Sequence, residues 1–269
     1  MGAIRALYRR HRTFTVIGFT ILALVPIVLV LMQIDDRTTD GQNVWLKPLK
    51  FYASLGTYSL TLAFYSAWMS ERGRNSLFFK SVVFWFSVAM IFEVIWLMSA
   101  SAQGIRSHFN DDGGLYTILY PISGLFAIVL VFTGMVMGFS VLRARKEASN
   151  QGLAEAIGWG LVLTFFLTAV SVSPLTNPYG DLGGSKTGYH DGIFGWRMER
   201  GDLRAAHFFG THALHVIPAI MLLPSLVLPR GLSVSLARLV AVAYAAAVTW
   251  LALLVIGGGD LPEIFRSPF

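Results

Sequence analysis

The sequence predicts an all-α integral membrane protein, in which a bundle of seven transmembrane helices forms one multi-pass domain over residues 1–269. Two observations lead to this fold class. Hydrophobic residues make up 55% of the chain and charged residues only 13%, whereas soluble domains carry about 25% charged residues. Several apolar runs also reach roughly the 20 residues that a helix needs to cross a bilayer. A soluble enzyme, a disordered regulator and a nucleic-acid-binding protein are therefore excluded.

The first apolar run follows a basic N-terminal arm and lies near Thr13–Ile34. It is too long for a secretory signal, and no small-x-small cleavage site precedes Asp35, which favours an uncleaved signal anchor. Six further runs follow, near Val44–Met69, Leu77–Ala102, Leu115–Leu142, Leu153–Ser173, Ala205–Leu228 and Leu232–Ile256. They lack the alternation of membrane strands, and lipid offers no partner to backbone groups, so each run is predicted as a helix.

The distribution of positive charge predicts the orientation of these helices. With the N-terminus in the cytoplasm, 12 of the 21 Lys and Arg residues lie inside: four in the N-terminal arm, three in each of the next two inner segments and two in the last. Four of the nine outer cations lie in one long loop, where the positive-inside rule counts least. We therefore expect a multi-pass protein of the plasma (cytoplasmic) membrane with an N-in/C-out topology. The net charge of +6 needs no acidic partner.

Glu93 is the one carboxylate predicted to lie deep within a span. An ionised side chain costs about 2.5–3.5 kcal/mol there on insertion scales, so an intramembrane acid is by default a functional-site candidate. Trp96 and Gln103 fall on the same stripe of the predicted helix, which leads outward to His108 and Asp111. Two interpretations remain open. Glu93 and Asp111 act in catalysis, or a neutral Glu93 only hydrogen-bonds another helix.

Five of the six histidines fall in the outer loops or in the outer half of a span, and three of them share one side of the sixth predicted helix. These three are His207, His212 and His215, spaced H-x4-H-x2-H. Neutral imidazole is the commonest metal ligand, and a catalytic metal site takes about three protein ligands. The trio, with His108 and His190, therefore predicts a Zn or Fe site. Asp202 is a third candidate for a catalytic acid there, beside Glu93 and Asp111. Each histidine alone also fits an interfacial ring that bonds a carbonyl.

The outer loop over residues 173–204 contains seven glycines and several aromatic residues. A loop beyond about 12–15 residues is usually a lid, a binding loop or disordered. Its aromatic residues favour folding back onto the membrane face, which predicts a lid above the histidines. A passive loop is the alternative.

Cations at the outer ends of the spans are candidates for holding a cofactor. Lys50, Arg106 and Arg204 suit an anionic headgroup or a haem propionate, and Trp96 and Gln103 lie on the adjoining stripe. The alternative is that the cations extend to lipid phosphates at the interface.

The seven-span, N-in layout with histidines late in the chain resembles the ceramidase and progestin-receptor class of membrane hydrolases. Members of that class carry an HxxxH pair in the last helix. Here the trio lies in the sixth helix and on the opposite side of the membrane, so no site residue is transferred from the resemblance.

Three functions remain open from the sequence. The first is a metalloenzyme, with Zn or Fe, that acts on a lipid-soluble substrate in the outer leaflet. The second is a protein that carries haem b and exchanges electrons with quinone; covalent c-type haem is excluded because no CxxCH motif is present. The third is a transporter that couples to protons through Glu93, or an assembly factor. The expected partners are the bilayer and a lipophilic small molecule or quinone, and a homo-oligomer is left open.

Overall fold

The computed structural model describes residues 2–39, 41–107, 114–175, 196, 198 and 201–265, with side chains as far as residue 172 in the third of these ranges. Its α-helices are, in chain order, α1 Gly2–Arg10, α2 Arg12–Ile34, α3 Leu46–Tyr65, α4 Glu71–Asn75, α5 Leu77–Ala102, α6 Leu115–Ala144, α7 Gln151–Leu175, α8 Leu203–Met221, α9 Pro224–Val227 and α10 Arg230–Ile256. Two short strands, β1 Thr38–Thr39 and β2 Gln42–Asn43, pair antiparallel. The chain forms two compact units, Met1–Thr133 and Gly134–Phe269.

Six helical segments of the described chain are long and apolar enough to cross a membrane, which supports a multi-pass membrane protein. They are Arg12–Ile34, Leu77–Ala102, Leu115–Glu147, Gln151–Val172, Leu203–Val227 and Arg230–Ile256. The second predicted span is also a helix, α3, but it is not among these six. Lys47, Lys50 and several hydroxyl-bearing side chains lower its mean hydropathy. Seven helices therefore exist where seven were predicted, and six of them have the composition of a span.

In the first unit, α2 and α3 pack closely where two glycines meet. A Cβ atom added to Gly18 would lie 3.0 Å from the carbonyl oxygen of Gly56 and 2.7 Å from the side chain of Leu60. A Cβ on Gly56 would in turn lie 3.1 Å from the carbonyl oxygen of Gly18. Small residues allow this approach, which is how membrane helices gain van der Waals contact without a hydrophobic driving force.

The β-hairpin after α2 is held by Asp35 and docks on the C-terminal end of α5. The Asp35 carboxylate accepts hydrogen bonds from the Arg37 guanidinium and, at 2.7 Å, from Trp45 Nε1. These hydrogen bonds, that of Arg37 first, hold the pKa of Asp35 well below its usual range. The same guanidinium donates to the carbonyl oxygen of Ala102 at 3.1 Å. One ion pair thus fixes both the hairpin and its position on α5.

In the second unit, α7 packs against both α8 and α10, again through glycines. A Cβ on Gly160 would lie 3.0 Å from the carbonyl oxygen of Ala213 in α8, and a Cβ on Gly210 3.0 Å from the backbone of Leu167 in α7. The C-terminal part of α6 meets α7 in the same way, since a Cβ on Gly138 would lie 2.7 Å from a backbone oxygen of α7. Close backbone contacts therefore bring the histidines of α8 next to α7.

Candidate functional site

Glu93 lies midway along α5 in the first unit and is only 3% exposed. Its Oε1 atom accepts a hydrogen bond from Ser123 Oγ of α6 at 2.9 Å. The predicted intramembrane acid is therefore buried, and it bonds another helix. This contact fits both interpretations of Glu93, because a working proton carrier and a structural acid each need a polar partner in lipid.

Polar groups continue along α5 from Glu93 toward the C-terminal end of the helix. Trp96 is 3% exposed, and its Nε1 atom has no hydrogen-bond partner within the part of the chain that the structure describes. Its ring lies 4.8 Å from that of Tyr116. Tyr116 in turn donates a hydrogen bond to Ser99 Oγ at 3.1 Å and accepts one from the exposed amide of Gln103. Hydrogen bonds therefore join Gln103 of the predicted stripe to Tyr116 and Ser99, and Trp96 meets this group only through its ring contact with Tyr116.

The cations predicted to bind a cofactor in this unit lie at the same end of the helices. Lys50 is exposed on α3, and Arg106 is half-buried just beyond α5. Arg204, the third such cation, belongs to the second unit and is engaged with Asp202, as described below.

Two histidines of α8 have their Nδ1 atoms engaged in hydrogen bonds. His212 Nδ1 lies 2.7 Å from the carbonyl oxygen of Phe208, which can only accept, so this nitrogen carries the proton. His207 Nδ1 lies 3.3 Å from Ser171 Oγ of α7, and either atom can be the donor. When His212 is uncharged with its proton on Nδ1, its Nε2 atom keeps a lone pair, as in histidines that ligate metals.

His215 lies beside His212, with 5.6 Å between the centres of their rings. All three histidines of α8 are half-buried. Among the residues that the structure describes, no group of three or more His, Asp or Glu side chains has the geometry of a metal site. The other expected ligands, His108 and His190, and the predicted acid Asp111 lie outside the described residues.

Asp202 and Arg204 pair with each other at the start of α8. Asp202 is fully buried and caps the helix, because its Oδ1 atom accepts a hydrogen bond from the backbone N–H of Arg204 at 2.9 Å. The guanidinium of Arg204 donates to both carboxylate oxygens. The residues predicted as catalytic acid and as cofactor ligand thus form one ion pair that fixes the N-terminus of the histidine-bearing helix.

Two described residues of the outer loop pack on the same end of the unit. Trp196 is 6% exposed, and its ring lies 5.6 Å from that of Phe208 in α8. The carbonyl oxygen of Met198 accepts a hydrogen bond from the backbone N–H of Leu261 at 2.9 Å. Trp196 and Met198 therefore contact α8 and the segment after α10. Residues 176–195 lie outside the described residues.

Comparisons with known proteins give no assignment for these groups. No family model, curated protein or solved structure matches this chain.

Glu155 is a buried acid that sequence reasoning missed. It is 1% exposed on α7 and accepts hydrogen bonds from Arg145 at 2.6 Å, from Arg238 of α10 at 2.7 Å and from Trp159 Nε1 at 3.0 Å. The sequence places it at the start of a span, where an acid is ordinarily solvated. The available signal is Trp159 one turn later, whose indole donor faces the carboxylate at i,i+4 spacing.

Proposed function

We propose that this protein is an integral membrane metalloenzyme that binds Zn or Fe through His212 and His215 and acts on a lipid-soluble substrate. One observation carries the proposal: His212 donates Nδ1–H to the Phe208 carbonyl, which leaves its Nε2 atom available as a ligand, and a second imidazole, that of His215, lies beside it. That arrangement fixes the tautomer and the ring orientation that metal ligation needs. A bound ion would supply Lewis acidity or redox chemistry.

The surroundings of the pair suit a lipophilic substrate. Phe208 stacks on His212, with 4.1 Å between the ring centres. Trp196 packs on Phe208 from the loop, so the proposed lid begins next to the histidines. The buried Asp202–Arg204 pair holds the N-terminus of α8 in place, and we propose that it positions the helix and does not itself react.

Metal analysis of the detergent-purified protein tests the proposal. We expect about one metal equivalent per chain, and loss of most of it in His212→Ala and in His215→Ala. His11→Asn is the matched control and keeps the metal, because the His11 ring caps α2 through its Nδ1 atom. His190→Ala tests whether the outer loop provides a third ligand. A wild-type protein that holds no metal, even after incubation with Zn²⁺ or Fe²⁺, contradicts the proposal.

A haem is a weaker candidate, although it uses the same side chains. Two axial imidazoles must approach a haem from its two faces. In the described part of the second unit every histidine lies on α8, and neighbouring rings on one helix cannot take these positions. An absorption spectrum of the same sample decides: a Soret band that the His212→Ala variant lacks favours haem over a bare metal.

The second candidate function is proton-coupled transport through Glu93. The specific observation is the buried carboxyl that accepts a hydrogen bond from Ser123, together with the hydrogen bonds that join Ser99, Tyr116 and Gln103 toward the end of α5. Proton uptake into liposomes, followed with an entrapped pH-sensitive dye, tests it. We expect uptake to be lost in Glu93→Gln and kept in Glu71→Gln, an exposed acid of α4. Equal uptake by wild-type and protein-free liposomes contradicts this candidate.

A further inference from the structure

The first helix, α1, is amphipathic. Its sequence is GAIRALYRR. At about 100° per residue, Ile4, Leu7 and Tyr8 fall within an arc of about 100°, whereas Arg5 and Arg9 lie side by side outside that arc. The Ile4 and Tyr8 side chains are 55% and 42% exposed, and both arginines are exposed as well. The helix therefore presents an apolar strip with a basic flank, and the described chain covers neither of them.

The turn between α1 and α2 keeps α1 out of the first span. His11 has an extended backbone, with φ −158° and ψ 102°, and its side chain caps α2. Arg10 fastens α1 to the C-terminal end of α3. Its Nη1 atom donates to the carbonyl oxygen of Phe64 at 3.3 Å, and its guanidinium carbon lies 4.5 Å from the centre of the Phe64 ring. Thus α1 lies beside the start of the apolar segment Arg12–Ile34, at the place where that segment enters a bilayer.

Positive charge prevails around α1. No acidic residue precedes Asp35 in the sequence. Neither Arg5 nor Arg9 forms a hydrogen bond or an ion pair with the described part of the chain. The neighbouring helix α4, whose Arg74 acts on the charge of His11, has the sequence ERGRN, with two arginines and one glutamate. The basic flank of α1 is therefore available to a negatively charged partner.

We propose that α1 lies in the membrane interface and binds anionic phospholipids. Ile4 and Tyr8 then reach the boundary of the acyl chains while Arg5 and Arg9 contact the headgroup phosphates, as in other interfacial amphipathic helices. Charge complementarity and the apolar strip together select this partner. A soluble polyanion would leave the apolar side chains in water, and a zwitterionic bilayer has no excess charge to attract the arginines. The inference is independent of the metal site, so either proposal can fail without the other.

Labels on the two sides of α1 test the inference in the full chain. Because the sequence contains no cysteine, Ile4→Cys and Ala6→Cys can each carry one environment-sensitive fluorophore, at positions about 160° apart on the helix. The protein is reconstituted in bilayers of phosphatidylcholine with or without phosphatidylglycerol. We expect phosphatidylglycerol to move the emission of the Ile4→Cys label to shorter wavelength and to protect this label from acrylamide, a water-soluble quencher. The Ala6→Cys label should stay accessible in both bilayers.

Charge variants test the role of the arginines. Each arginine near an anionic surface changes the equilibrium between bound and released helix about fivefold, so Arg5→Gln with Arg9→Gln should largely abolish the effect of phosphatidylglycerol on the Ile4→Cys label. Arg5→Lys with Arg9→Lys keeps both charges and should keep the effect. The matched control, Arg72→Gln with Lys146→Gln, removes two exposed cations elsewhere and should keep it as well. All four side chains are exposed, so each variant should fold like wild type.

Three outcomes overturn the inference. One is an Ile4→Cys label that stays as accessible to acrylamide as the Ala6→Cys label in bilayers with phosphatidylglycerol. Another is equal protection with and without phosphatidylglycerol, which shows that apolar contact alone, or a protein surface, covers the strip. The third is an effect of phosphatidylglycerol that survives in the double glutamine variant of α1, which assigns the attraction to other cations of the chain.

Discussion

Glu155 and Arg238 form an ion pair that joins α7 to α10, with 2.7 Å between Oε1 and Nε. Arg145 completes the cluster on the other carboxylate oxygen. The Glu155 carboxylate is 1% exposed. Its two partners differ, since the Arg238 side chain is 52% exposed and that of Arg145 25% exposed. We therefore expect Arg145 to contribute more to stability than Arg238. Solvent screens the more exposed arginine.

The first prediction concerns this cluster. Glu155→Gln leaves the half-buried guanidinium of Arg145 and the exposed one of Arg238 without their counter-charge, so we expect a loss of about 1–3 kcal/mol in the free energy of unfolding. Arg145→Gln should cost more than Arg238→Gln, because Arg145 is less exposed. The free energy of unfolding of each variant is measured in mixed micelles with a denaturing detergent, which ranks the three losses. Glu147→Gln, an exposed acid nearby, is the control, and a loss as large as that of Glu155→Gln would refute the argument.

The second prediction concerns the close contact of α2 and α3. Gly18→Ala places a methyl group 2.7 Å from the Leu60 side chain and 3.0 Å from a backbone oxygen, so we expect destabilisation by about 1–3 kcal/mol. Gly124→Ala in α6 is the matched control, since an added Cβ there meets nothing within 4 Å. It should be neutral or slightly stabilising, because alanine favours helix more than glycine. The same unfolding assay distinguishes them, and equal effects would contradict the close-packing account.

Much of the helical layout could be predicted from the sequence, because length and apolarity decide which segments can exist in lipid. The predicted Leu77–Ala102 has the bounds of α5, and the predicted Leu115–Leu142 ends two residues before α6 does. The docked hairpin could not be predicted, because it depends on which donors reach the Asp35 carboxylate. Whether α3 is a span is harder to predict from its composition, because its polar residues have partners that depend on packing. The hydroxyl of Tyr52, for example, donates a hydrogen bond to a carbonyl oxygen of α5.

The candidate sites were only partly predictable. Burial of Glu93 follows from its position within an apolar run, but the choice of Ser123 as its partner depends on how α5 and α6 pack. Asp202 and Arg204 were assigned separately, although their i,i+2 spacing at a helix start is typical of a cap. The ion pair of Glu155 could not be predicted, because the contact with Arg238 depends on how α7 and α10 pack in the tertiary structure.

The third prediction is that α3 crosses the membrane. In a chain with an N-in/C-out topology, α3 runs from the outer side to the cytoplasmic side. Its 20 residues rise about 30 Å, the thickness of the hydrocarbon core. The chain contains no cysteine, so single cysteines can be introduced without removing any. We expect Asp36→Cys to react with a membrane-impermeant maleimide in intact cells and Ser70→Cys to react only after lysis. Labelling of both from the same side would show that α3 does not span, and Asp260→Cys reports the C-terminal side.

The fourth prediction concerns His11, which caps α2 outside the membrane-spanning segments. Its Nδ1 atom accepts a hydrogen bond from the backbone N–H of Phe14, and the two rings stack 4.1 Å apart. Burial, followed by the charge of Arg74, lowers the pKa of His11 to about 4. Between pH 6.5 and about 4 the unfolded chain therefore binds a proton that the folded protein does not, so the free energy of unfolding should fall as the pH falls through this window.

The total effect of that titration on the free energy of unfolding is at most about 3.5 kcal/mol, since each unit of pKa is worth about 1.4 kcal/mol. Above pH 6.5 His11 is neutral in both states and contributes no slope. His11→Asn keeps an N-cap acceptor but cannot titrate, so its unfolding should lack this component of the pH dependence while other groups contribute equally to both proteins. The free energy of unfolding is measured against pH for both proteins. Parallel curves for wild type and His11→Asn from pH 4 to 7 would contradict the prediction, because they would mean that the folded protein protonates His11 without loss of the cap.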